Sequence, residues 1–130
     1  EMKTDRLSSA ILDFPQGQSV FTCSTQLCAY QRMHFVGTKG RVEVQIPFNA
    51  PNDAECKVFV DDGSCLHGSG IETISHDICD QYTIQGDEFS KAILEDRKVP
   101  VPLEDAIKNM AVIEAVFRSA ETGNWETPAS

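Results

Sequence analysis

Gln31-Arg32-Met33-His34-Phe35-Val36-Gly37-Thr38-Lys39-Gly40-Arg41-Val42-Glu43-Val44-Gln45-Ile46 is the stretch on which the fold turns. Two runs rich in β-branched and aromatic residues flank Gly37-Thr38-Lys39-Gly40, and in the second run Val42, Val44 and Ile46 alternate with Arg41, Glu43 and Gln45. Successive side chains of a strand point to opposite faces, so this alternation predicts a half-buried strand returning from a glycine-bounded turn. Downstream, Pro47-Phe48-Asn49-Ala50-Pro51-Asn52-Asp53 cannot continue a ladder, because proline has no N–H to donate, and reads as a loop. Lys57 to Val60 resumes a strand that Asp61-Asp62-Gly63 ends, and Ile71 to Ser75 is a sixth run. Upstream, Leu7 to Phe14 and Ser19 to Leu27 are joined by Pro15-Gln16-Gly17, which predicts a hairpin.

After Asp80 the period changes from two to about 3.6. Phe89, Ala92 and Ile93 follow Tyr82 and Gln85 at helical spacing, which predicts a helix from Tyr82 to Asp96. Gly86 inside it costs roughly 1 kcal/mol against alanine, and close packing against the sheet is the expected reason for its presence. Val99-Pro100-Val101-Pro102 is a stiff link, and Glu104 and Asp105 complement the positive end of a second helix dipole. Ala106, Ile107, Met110, Ile113, Phe117 and Ala120 form an apolar stripe, expected to be core, with Gly123 as C-cap beyond Thr122. Strands followed by helices predict an α+β class: an open-faced, mostly antiparallel β-sheet of about six strands with two C-terminal helices packed on one face.

At 130 residues and 41% hydrophobic content the chain suffices for a single domain, residues 1–130. Its 20 acidic and 11 basic side chains give a net charge of -9, which repels phosphate backbones and anionic lipid, so neither nucleic acid nor membrane is an expected partner. No apolar stretch is long enough to span a bilayer, and Glu1-Met2-Lys3-Thr4-Asp5 is not a signal peptide. Cys23, Cys28, Cys56, Cys65 and Cys79 are odd in number, which fits a reducing cytoplasm better than a disulfide scaffold.

No complete catalytic constellation emerges from the residues themselves. Cys65-Leu66-His67 and His76-Asp77-Ile78-Cys79 offer zinc-ligand types, but at spacings unlike structural zinc sites. Gly68-Ser69-Gly70 lacks the third glycine and following helix of a phosphate cradle, and no Gly-x-Ser-x-Gly elbow is present. His34 reads as a packing residue, and Asp53, Glu55, Asp61 and Asp62 as solvated turns. Thr22, Ser24 and Gln26 alternate with Phe21, Cys23 and Thr25, leaving one sheet face without a helix to cover it.

Several segments share their wording with one family. Asp5 to Phe14 with Pro15-Gln16-Gly17 is like its first strand and turn, Gln31 to Val44 is like its signature hairpin, and Ile46-Pro47-Phe48-Asn49-Ala50-Pro51 extends it. Gln81-Tyr82 with Phe89, Ala92 and Ile93, then Asn109 to Ala115 and Ser119-Ala120-Glu121-Thr122-Gly123, match its two helices. Over Asp5 to Trp125 the chain resembles the carboxy-terminal domain of the glucose-fructose oxidoreductase and inositol dehydrogenase (Gfo/Idh/MocA) family. The resemblance implies that NAD or NADP is bound by a Rossmann domain upstream of this chain, with hydride passing between it and a sugar, polyol or related alcohol. It implies that the catalytic lysine and acid/base also lie upstream, so that no catalytic, cofactor-binding or metal residue maps here and the chain alone is inactive. It implies one wall of the substrate pocket, with His76, Gln81 and Tyr82 as candidate substrate contacts, and a homo-oligomer formed through the open sheet face. The alternatives are a freestanding binding or interaction module and a small zinc-binding protein.

Overall fold

The computed structural model describes residues 4–129; Glu1 to Lys3, part of the opening stretch read as no signal peptide, and Ser130 lie outside it. Its class is α+β, with six strands followed by two helices. All strand pairings are antiparallel, and they form a two-stranded and a four-stranded sheet rather than one ladder. Two compact units result, Cys28–Asp87 in one and Glu1–Leu27 with Glu88–Ser130 in the other.

In the unit Cys28–Asp87, strands β3 (Arg32–Gly37), β4 (Gly40–Gln45), β5 (Cys56–Asp61) and β6 (Ile71–His76) pair in sequence order. The register sorts their side chains by polarity. Met33 opposes Val44, Phe35 opposes Val42, Val42 opposes Val60 and Val58 opposes Ile74, so one face is apolar. The other face carries charges: Arg32 Nε lies 3.1 Å from Glu43 Oε1, and Arg41 Nε lies 3.1 Å from Asp61 Oδ2. His34 stands directly opposite Glu43, with Nδ1 at 3.9 Å from Oε2, so it belongs to this charged face and not to an apolar one. Asp61, read from sequence as a solvated turn residue, is the buried end of the network and also accepts a hydrogen bond from Gly63 N. Helix α1 (Gln81–Leu94) begins in this unit.

The other unit contains the hairpin of β1 (Leu7–Phe14) and β2 (Gly17–Ser24), the second half of α1, and α2 (Leu103–Thr122). Across the hairpin Ser9 and Thr22 share a hydroxyl hydrogen bond of 2.8 Å. On that same face Leu7, Ile11 and Val20 stand exposed. Helix α1 ends in a Schellman motif: Asp96 takes a left-handed φ of 50°, Asp96 N donates to Ile93 O, and Arg97 N donates to Ala92 O. The Arg97 guanidinium then bridges Glu88 and Glu95. Helix α2 ends as its sequence predicts, with Gly123 at φ 71° and its N–H on Ser119 O.

A Cβ placed on Gly86 would meet nothing within 4 Å, so close approach does not explain that glycine. Within its own unit the α2 stripe is not packed as a core, because Ile107 and Phe117 stay exposed there while Ala115 is the buried position.

Candidate functional site

The start of α1 is fixed by Asp80. Its carboxylate accepts hydrogen bonds from Tyr82 N at 3.0 Å, Thr83 N at 3.3 Å and Thr83 Oγ1 at 2.9 Å. These satisfy amide donors that a helix leaves unpaired at its first turn. The Thr83 hydroxyl, followed by the Thr83 and Tyr82 amides, holds the Asp80 carboxyl below its ordinary value of 3.8. A depressed carboxyl contributes stability above its unfolded value and loses that contribution as pH falls through the folded one. Asp80→Ala is therefore expected to lower the melting temperature at neutral pH and to make the loss of helical circular dichroism below about pH 4 shallower. An acid limb identical to that of the unmodified protein would reject this role.

So anchored, Gln81 and Tyr82 meet the loop between β4 and β5. Gln81 Nε2 donates to Phe48 O at 3.0 Å, and Tyr82 Oη donates to Asn49 Oδ1 at 3.4 Å. From the opposite end of the sequence order, Gln31 Oε1 accepts from both Phe48 N at 3.3 Å and Asn49 N at 3.2 Å. The loop enters this clamp through Ile46, whose φ of 52° is rare for a β-branched residue. Such a conformation costs about 1–3 kcal/mol and persists only where the surroundings enforce it. Phe48, Asn49 and Tyr82 are all exposed.

Of the sequence candidates, Gln81 and Tyr82 are brought together on one cluster. His76 is instead the last residue of β6, opposite Cys56 in the ladder. Gln31 and Asn49 escaped sequence reasoning; the only local signal was the proline-flanked polar loop itself. The shallow depression at the Gly37–Gly40 turn, lined in part by Phe35, Arg41 and Asp61, contains none of these residues.

The loop between β5 and β6 does not suit a dinucleotide. Gly70 leads into a strand, and the space beside it is held by Asp62, whose Oδ1 a Cβ there would meet at 2.8 Å. The Ser64 amide and hydroxyl keep that carboxyl below its ordinary value, so the group facing a phosphate would be an anion. In the same loop the Cys65 thiol receives Ser69 N at 3.1 Å and lies 2.8 Å from Ser69 Oγ; these bonds, the hydroxyl's first, pull its pKa down. Among the described residues no group of three His, Cys, Asp or Glu is placed to hold a metal ion. Nor is any helix there long and apolar enough to cross a membrane.

Comparison with known proteins gives this geometry a context. The family model described as "Oxidoreductase family, C-terminal alpha/beta domain" matches residues 5–127. An uncharacterized oxidoreductase of Rhizobium meliloti is 40% identical over 124 residues, covering 95% of this chain and 37% of the relative. No solved structure matches significantly. The chain thus spans little more than a third of the length of that relative. A match over nearly all of the folded residues makes the assignment: the chain belongs to the Gfo/Idh/MocA oxidoreductase family, as its C-terminal α/β domain.

Proposed function

We infer that these residues form the substrate-side part of a longer NAD(P)-dependent oxidoreductase that acts on a sugar, a polyol or a related alcohol. The family match over residues 5–127 carries the reading, and the relative's greater length leaves room for a dinucleotide-binding part outside this chain. The nicotinamide accepts or delivers hydride when bound; the residues here contribute binding and orientation. Exposed Tyr82, with its hydroxyl anchored on Asn49, is the residue best placed for contact with substrate, since a phenol offers both an apolar ring and a polar tip. Gln81 holds the loop through one Nε2 N–H on Phe48 O and keeps a second N–H and its carbonyl oxygen for a substrate hydroxyl.

Exposed Leu7, Ile11 and Val20, which share one face of the hairpin, support association with a second copy, and all five cysteines being free suits a reducing cytoplasm. The test uses the intact protein with NAD or NADP and a panel of aldoses and cyclic polyols, followed by nicotinamide absorbance. Tyr82→Phe is expected to raise KM roughly three- to tenfold for the oxidised substrate, the usual range for losing one hydroxyl contact. Unchanged kinetics would take Tyr82 out of the pocket, and a panel with no oxidised member would overturn the functional reading. A freestanding binding module would show retention of a ligand with no nicotinamide turnover.

A further inference from the structure

We propose that Phe48-Asn49 is the substrate-recognition segment of this domain, that Asn49 discriminates among substrate hydroxyls, and that Gln31 and Gln81 are positioning residues that hold the segment in place. The proposal rests on the oxidoreductase reading for the identity of the ligand, but the clamp itself stands on geometry. One carboxamide oxygen, that of Gln31, accepts both backbone N–H groups of the segment, while the amide nitrogen of Gln81 donates to its Phe48 carbonyl. Three backbone groups of the segment are therefore met by side chains rather than by a ladder, which holds its backbone and leaves the side chains of Phe48 and Asn49 exposed.

The Ile46 backbone stands in a left-handed conformation at the entrance, a departure of the kind that clusters at ligand-binding sites. Asn49 accepts from Tyr82 Oη through Oδ1, and its Nδ2 carries two donors. Two exposed aromatic residues belong to the same cluster: Phe48, next to Asn49 in the chain, and Tyr82, whose hydroxyl bonds the Asn49 carboxamide. Rings that cover apolar C–H faces, beside an amide that pairs with hydroxyls, match the alternating chemistry of a pyranose or a cyclic polyol. The known hydrogen-bond directions make the two glutamines non-equivalent. Glutamate at position 31 keeps an acceptor for both N–H groups; glutamate at position 81 opposes a carboxylate to a carbonyl.

Amide hydrogen exchange in the full-length protein reads the clamp directly. Gln31→Leu and Gln81→Glu are expected to speed exchange within the Phe48-Asn49 segment about tenfold, and Gln31→Glu is expected to restore much of the protection lost in Gln31→Leu. In turnover assays with NAD and, as first probes, myo-inositol and D-glucose, Asn49→Ala is expected to raise KM about tenfold with kcat changed less than about twofold. Unaltered exchange in Gln31→Leu, or equal effects of glutamate at both positions, would overturn the clamp. Accelerated exchange with an unchanged KM in Asn49→Ala would overturn recognition. Oxidation of no aldose or cyclic polyol in the wider panel would overturn the oxidoreductase reading and recognition together, with exchange still deciding the clamp.

Discussion

Gly40→Ala is expected to destabilise the four-stranded sheet by about 3 kcal/mol or more, enough to remove much of the stability of a small domain. Gly40 opens β4 with φ at 140°, a region L side chains rarely adopt. A Cβ there would run into the backbone carbonyl of Asp61, with Asp62 Cα at 3.2 Å. Backbone atoms cannot rotate away as a flexible side chain would, so relief requires β4 and β5 to separate where Arg41 pairs with Asp61. Gly37, its partner across the turn, is the control: a Cβ there meets only Gly40 O, at an ordinary 3.7 Å, so Gly37→Ala should cost less than about 1 kcal/mol. Denaturant titration of the two variants checks the pair. Equal midpoints would show that the ladder tolerates a side chain at Gly40.

Asp61→Ala is the second large effect, expected to cost about 2–3 kcal/mol. The Asp61 side chain is 10% exposed, receives Arg41 Nε at 3.1 Å and accepts from Gly63 N at 2.9 Å. Alanine leaves that N–H unmatched and a guanidinium without its close partner. Arg41 itself is 40% exposed, so water compensates part of the loss and the upper range for a buried pair does not apply. Asp61→Asn keeps an acceptor for Gly63 and should lose about half as much. A double-mutant cycle with Arg41→Met isolates the pair, with a coupling of about 1 kcal/mol expected. Zero coupling, or an Asp61→Ala melting curve that superimposes on that of the original protein, would assign the burial of Asp61 to packing alone.

Both effects depend on cross-strand neighbours, which marks the boundary of what was legible beforehand. The alternation of Val42 and Val44 with Arg41 and Glu43 fixed the direction each β4 side chain takes, because strand geometry is set by adjacent residues. It did not reveal that Arg41 would face Asp61, since the length of the intervening loop decides the register. The α2 stripe shows the converse. Its period located the helix and its Gly123 cap correctly, yet period reports an apolar face without naming what covers it. A glycine inside a helical period suggests close packing, yet the space around Gly86 is open.

The candidate site divides along the same line. Gln81 and Tyr82 were accessible from sequence because they sit at a helix start within a family-like word, and Asp80 two residues before Tyr82 does the capping. His76, a candidate from the same family-like segment, ends β6 opposite Cys56. By itself, then, the sequence determined six strands and two helices in order, their approximate limits, and the family to which they belong, all of which follow from periodicity and short words of adjacent residues. The tertiary structure alone decided that Gln31 and Gln81 grip the same Phe48-Asn49 segment, across separations of 17 and 33 residues in their shortest cases. A carboxamide carries no local pattern that announces its partner; only the path of the intervening strands brings its oxygen to one amide and its nitrogen to another carbonyl.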